Sequence, residues 1–153
     1  MVRTAAPRKR PPQPSPDCIF CAIMAGRAPA ACVAEDPHAY AFLDRRPVFK
    51  GHVLIVPRQH HEVLAELPAR ELGGYLAAVQ RACVAVERGL GADGSFVGIN
   101  NRVSQSVPHL HTHVIPRRRG DGLRGFFWPR TSYAADDELE DFRARIAAAW
   151  PHP

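Results

Sequence analysis

The segment HLHTHVIP (His109 to Pro116) narrows the possibilities most, because His109, His111 and His113 stand at alternate positions in it. Successive side chains of a β-strand leave on opposite faces, so alternate residues share one face and lie roughly 6.5–7 Å apart. The positions that follow are β-branched, and Pro108 stands where the start of a strand tolerates proline. The spacing therefore predicts a strand carrying three imidazoles on one side. Such a row is costly to bury unless each ring is hydrogen-bonded or ligates something. Three of the chain's eight histidines fall within these five residues, which makes this the expected seat of any chemistry.

Two chemistries suit it. A metal can take ligands from an H-x-H strand, or one ring can attack an electrophile while its neighbours fix its tautomer. Gln105 and Ser106 lie just upstream and offer neutral donors of the kind that orient a phosphoryl group. The next carboxylate downstream is Asp121, beyond Arg117, Arg118 and Arg119, which tells against catalytic zinc with a carboxylate base. The arginine run continues to Arg124 and Arg130; it is either an exposed loop or a place where phosphates pass.

Other periodicities set the architecture. Cys18 to Pro29 reads as a short helix or turn stopped by Gly26 and Pro29. CVAED and AYAFLD read as strands broken at Asp36 and Pro37, and His52 to Pro57 as an interior strand. From Pro68 to Leu90, Leu72, Tyr75, Leu76, Val79, Cys83, Val86 and Leu90 recur at helical spacing. Ser95 to Asn100 is a strand, and Asp136 to Trp150 an amphipathic helix with Leu139, Phe142, Ile146 and Trp150 on one face. Hairpin-like strand pairs around one long helix predict an α+β fold with an antiparallel sheet.

The formal charge of +5 is unevenly placed. Residues 1–16 hold Arg3, Arg8, Lys9, Arg10 and five prolines with no acid, and read as a disordered basic, Pro-rich tail. From Asp17 onward sixteen basic side chains face fifteen acidic ones, so residues 17–153 are expected to form one nearly neutral domain and nucleic acid is not its expected partner. No apolar run reaches the roughly 18–20 residues of a membrane span, and the N-terminus has no apolar leader, so a cytoplasmic location is the default expectation.

The cysteines, at uneven spacing, suggest metal or free thiols rather than a disulfide framework. Cys18 and Cys21 form C-x-x-C, and with His60 and His109 they could hold a structural zinc. His61 is an alternative to His60, and free thiols or a redox pair are the other readings. Cys32 and Cys83 are expected in the core.

HLHTHVI resembles the alternating-histidine motif of the histidine-triad (HIT) family of nucleotide hydrolases and transferases. CIFCAI, FLDRRPVFKGHVLIVPRQH and QSVPHLHTHVIPR extend the resemblance from about Cys18 to Pro116 in the expected order. It implies a HIT-like, about five-stranded antiparallel sheet with one long helix and a C-terminal helix. It implies a nucleophile, His111, that attacks the α-phosphorus of a purine nucleotide conjugate, a phosphoramidate or a dinucleoside polyphosphate, to form a nucleotidyl-histidine. His113 would contact phosphate, His109 would open the triad, and His52 would hold the nucleophile's other ring nitrogen. Gln105 and Ser106 would bind the phosphate and the leaving-group side, Asn100 or its neighbour Asn101 would contact phosphate, and Asp44 would hold the ribose hydroxyls. Zinc on Cys18, Cys21, His60 and His109 is similar to the ligand set of some bacterial members, and a homodimer is implied. A phosphorylase or nucleotidyltransferase, and a non-catalytic nucleotide-binding regulator, are the alternative functions. The loop NNRVSQS departs from the family pattern in being shorter and lacking glycine.

Overall fold

The computed structural model describes residues 15–123 and 132–149. The basic tail up to residue 14, together with Arg124, Phe126, Phe127, Trp128, Arg130 and Trp150, lies outside the described residues. The described residues form two compact units, one ending at Asp121 and one beginning at Gly122.

In the first unit the elements run α1 (Ile19–Met24), β1 (Cys32–Glu35), β2 (Ala39–Leu43), β3 (Val53–Pro57), a short 3-10 turn (Leu64–Glu66), α2 (Ala69–Leu90), β4 (Gly94–Ile99) and β5 (Thr112–Arg117). The strands make one five-stranded sheet in the order β1-β2-β3-β5-β4, every pairing antiparallel. The second unit contains α3 (Asp136–Ala148), with Asp136, Asp137 and Glu138 in its first turn. These acids suit the positive end of the helix dipole. Leu139, Phe142 and Ile146 of α3 are exposed.

α2 follows from its pattern. Tyr75, Val79, Ala82 and Val86, spaced three or four apart, form its buried stripe. Gly91 ends it at φ 59°, its N–H returning to the Glu87 carbonyl; a left-handed residue there is what glycine supplies cheaply. The Arg118 guanidinium donates to the Leu90 and Gly91 carbonyls at 2.5 and 2.8 Å and closes the same helix end.

The sheet is covered on both faces, which explains why all of β3 is buried instead of alternating. Val53 and Ile55 join Tyr75, Val79 and Val86 in one cluster, and Leu54 and Val56 join Phe20, Ile23 and Phe42 in another. Each fully buried aliphatic side chain contributes about 1.5–3 kcal/mol. β1 is an edge strand exposed throughout, so Cys32 is exposed and not in the core; Cys83 packs against the α2 side as expected.

β5 starts later than the sequence suggests, at Thr112 instead of His109. The last β3–β5 pair is Ile55 with Thr112. Pro57 has no N–H to extend the ladder, and the Leu110 N–H donates instead to the His61 carbonyl at 2.6 Å. Facing is nevertheless kept: Leu110 and Val114 lie in the α2-side core, and His109 and His111 lie on the opposite side against Phe20.

Candidate functional site

The alternation of residues 109–113 delivers the three histidines to the α1 side of the sheet, and each then meets different company. His109 is completely buried. Its Nδ1 lies 3.4 Å from Cys18 Sγ and 3.6 Å from Cys21 Sγ, and His60 Nδ1 lies 3.4 Å from Cys21 Sγ. Together Cys18, Cys21, His60 and His109 place one donor each within 4.8 Å of one another. Zn–S and Zn–N bonds of about 2.3 and 2.0–2.1 Å in tetrahedral geometry put S and N roughly 3.5 Å apart, so these spacings fit a four-coordinate ion. The His109 Nε2–H donates to the Pro57 carbonyl at 3.3 Å, which leaves Nδ1 with its lone pair toward the sulfurs. Burial, with His60 beside it, holds the His109 pKa down to about 4, so the ring is neutral as a ligand must be. Burial pushes the Cys21 thiol up, and a dication is the partner that makes a thiolate favourable there. Of the two neighbouring histidines it is His60 that joins the cluster; His61 turns to Glu71, Nε2 to Oε2 3.6 Å.

His111 is buried too, its ring edge-on to Phe20 with centroids 5.3 Å apart. Its Nδ1 lies 2.7 Å from the backbone carbonyl of His109. A carbonyl only accepts, so Nδ1 carries the proton and Nε2 keeps the lone pair. The group at the second ring nitrogen of His111 is therefore this carbonyl, and His52, which the resemblance places there, lies against His113 instead.

His52 serves His113. The Val48 N–H points at His52 Nδ1 (3.3 Å), making that nitrogen the acceptor, so Nε2 carries the proton and donates to His113 Nδ1 at 3.0 Å. His113 in turn presents Nε2–H as a donor. Burial lowers the His52 pKa and outweighs the opposing pull of Asp44. The ring is neutral, and the 3.6 Å Asp44–His52 approach is not an ion pair. Burial, then His111 and His52, bring His113 down to about 4.

His111 and His113 line a cavity of about 310 Å³ with Asp44, Ser106, Arg45, Arg46 and an apolar wall that includes Ile19, Phe20, Ile23, Phe42, Leu54 and Val107. Asp44 is fixed from both sides: its N–H donates to the His52 carbonyl and its Oδ1 accepts the Arg46 N–H at 2.8 Å. Two other expected phosphate ligands are placed differently. Gln105 accepts the Arg102 N–H at 2.7 Å and donates to the Glu62 carbonyl at 2.6 Å, so its amide braces the loop. Asn100 is exposed and is not among the residues lining the cavity. In the glycine-free loop Arg102 and Ser104 take positive φ, 67° and 59°, the strained region for side-chain-bearing residues.

Arg117, Arg118 and Arg119 do not belong to this site. Arg117 pairs with Asp121 at 2.6 Å, Arg118 closes α2, and the Arg119 N–H donates to Asp93 at 2.8 Å. Arg117 ends β5, roughly 20 Å beyond His111 at strand rise. Sequence reasoning missed Arg45 and Arg46, although they directly follow Asp44, and missed the cavity wall supplied by α1. It also missed Tyr75, a buried hydroxyl that donates to the Ile55 carbonyl at 3.0 Å and accepts from Thr112 Oγ1 at 2.7 Å.

The chain is similar to several known proteins. An uncharacterised HIT-like protein of Methanocaldococcus jannaschii is 48% identical over 128 residues, covering 82% of this chain and 98% of its own. The adenosine 5′-monophosphoramidase of Schizosaccharomyces pombe is 35% identical, covering 73% and 83%. A crystal structure of a zinc-bound histidine triad family protein from Mycobacterium smegmatis superposes with a TM-score of 0.67 at 36% identity, covering 88% and 98%. The HIT domain family model matches residues 25–120, well over half of the sequence, and with that match the chain belongs to the histidine-triad family.

Proposed function

We propose that this chain is a nucleotide hydrolase that cleaves the α-phosphate bond of purine nucleotide conjugates through a nucleotidyl intermediate on His111. The observation that carries this reading is the 2.7 Å bond from His111 Nδ1 to the His109 carbonyl, which leaves Nε2 as a lone-pair donor in a cavity of nucleotide size. The phosphoramidase activity named for the yeast relative supports the reaction class.

In the first step the Nε2 electron pair forms a bond to the α-phosphorus while the bond from phosphorus to the leaving group breaks. The leaving group departs with that electron pair and takes up a solvent proton. In the second step water bonds to phosphorus, the N–P bond breaks, and one proton is released to balance the first. The His113 Nε2–H and the Ser106 hydroxyl donate to phosphoryl oxygens as charge builds on them. Asp44 has its Oδ2 available for the ribose hydroxyls, and the apolar wall with Phe20 and Phe42 receives the base.

The metal site is proposed to hold structural zinc on Cys18, Cys21, His60 and His109. When bound, zinc supplies a cross-link between α1, the turn at His60 and the approach to β5. A homodimer is proposed, because α2 exposes Leu76 and Val84 and β4 exposes Val97. Among the described residues no helix is long and apolar enough to cross a membrane.

The test is phosphorus NMR of adenosine 5′-phosphoramidate with wild type and with His111→Asn. Adenosine monophosphate should form with wild type only; equal turnover by both would overturn the reading.

A further inference from the structure

Most arginines near the folded sheet are spent on structure: Arg58 pairs with Glu35, Arg81 with Asp36, Arg117 with Asp121, and Arg118 caps α2. Arg45 and Arg46 differ. Both side chains are exposed, both line the cavity that contains His111 and His113, and among the described residues neither guanidinium makes an ion pair or hydrogen bond. Their backbone is not free to wander, because the Arg46 N–H is held by Asp44 Oδ1 at 2.8 Å and the Asp44 N–H by the His52 carbonyl at 2.9 Å. The pair is thus mounted on a braced turn beside the carboxylate proposed to hold ribose.

The cavity volume, about 310 Å³, stands at the lower end of what a drug-sized ligand occupies. It holds one nucleotide-sized half of a conjugate, so anything attached to that half must extend to the exposed mouth. One α-phosphate is already served by His113 and Ser106. Two further cations with no counter-charge among the described residues, in a lining whose one acid is Asp44, leave a positive surplus for a second anion.

We infer that Arg45 and Arg46 form a subsite for a second anionic group of the substrate, a phosphate or sulfate beyond the α-phosphate, and so select conjugates that carry it over those whose only anion is the α-phosphate. The inference rests on the hydrolase reading for its α-phosphate, and it deepens that reading by naming the substrate class. The second anion sits either on the leaving group or on the ribose, whose hydroxyls Asp44 would hold next to the pair.

The test compares wild type, the double variant Arg45→Ala/Arg46→Ala, and Arg45→Lys/Arg46→Lys on three adenosine conjugates. These are adenosine 5′-phosphoramidate, diadenosine tetraphosphate, and the 5′-phosphoramidate carrying a 3′-phosphate. The alanine variant should lose kcat/KM on one charged conjugate by roughly tenfold or more beyond its loss on the plain phosphoramidate. The lysine variant should recover part of it, and the effect should shrink with added salt. Selective loss on the tetraphosphate places the anion on the leaving group, and selective loss on the 3′-phosphate places it on the ribose. Equal losses on all three conjugates, or none, overturn the inference. If wild type turns over none of them, the hydrolase reading falls, and calorimetric binding still decides the subsite. Adenosine diphosphate or adenosine 3′,5′-bisphosphate should then bind wild type more tightly than the monophosphate, with the preference lost in the alanine variant; no preference in wild type overturns it.

Discussion

His109 touches His111 through its backbone and the cysteines through its ring: its carbonyl lies 2.7 Å from His111 Nδ1, while its own Nδ1 lies 3.4 Å from Cys18 Sγ. One residue thus joins the proposed metal site to the proposed nucleophile by two different atoms. Wild type is expected to contain close to one equivalent of zinc by elemental analysis. The Cys18→Ser/Cys21→Ser variant should lose the metal and several kcal/mol of stability, with Tm falling by roughly 2–4 °C per kcal/mol. Its kcat should drop more than its affinity for adenosine monophosphate. Metal loss with kcat untouched would show that the two sites are not coupled through His109.

Tyr75 on α2 bonds to Thr112, which sits between the two cavity histidines and is the first residue of β5. A tyrosine hydroxyl donates once; with that proton on the Ile55 carbonyl, the Thr112 hydroxyl must be the donor of the second bond. Tyr75→Phe removes both bonds from the buried α2 side of the sheet, at a cost of about 1–3 kcal/mol. Tyr75→Phe combined with Thr112→Val should cost less than the sum of the single changes in denaturant melts. Strict additivity would mean the bond contributes nothing.

Acid should destabilise the fold through His113. An unfolded imidazole takes up a proton near pH 6.5, but folded His113 resists until about pH 4. Between those values the unfolded state binds more protons, so the stability present above pH 6.5 is lost as pH falls toward 4. Thermal melts across that range should show the slope, and His113→Asn should flatten part of it. An identical slope in the variant would contradict the assignment.

Much of this was legible in the residues themselves. The helix at Ala69–Leu90 announces itself because burial of one face imposes periodicity, and the strand at Val53–Pro57 because burial of both faces makes it a short unbroken apolar run. The C-x-x-C at Cys18 and the alternating histidines were visible as donor types, and the choice of His60 over His61 was not, because it depends on which ring the turn after β3 points inward. Three placements share one cause. His52 meets His113 and not His111, Gln105 meets the Arg102 N–H and the Glu62 carbonyl, and Arg117 meets Asp121; in each case the partner is fixed by cross-strand register or by a loop closing on a distant group. Sequence spacing carries no record of either.

The exposed apolar residues Leu76 and Val84 on α2 and Val97 on β4 lead to an expectation about assembly. Wild type should sediment as a dimer, and Leu76→Arg should shift it toward monomer by burying an unpaired charge at the interface. A monomeric wild type at micromolar concentration would refute the dimer.

The most direct test of the central claim is to trap the intermediate. Wild type mixed with adenosine 5′-phosphoramidate, quenched within milliseconds in alkaline denaturant and analysed by peptide mass spectrometry, should carry one adenylyl group on the peptide containing His109, His111 and His113, with fragmentation placing it on His111. Turnover without any adduct, or an adduct that persists in His111→Asn, would contradict the account.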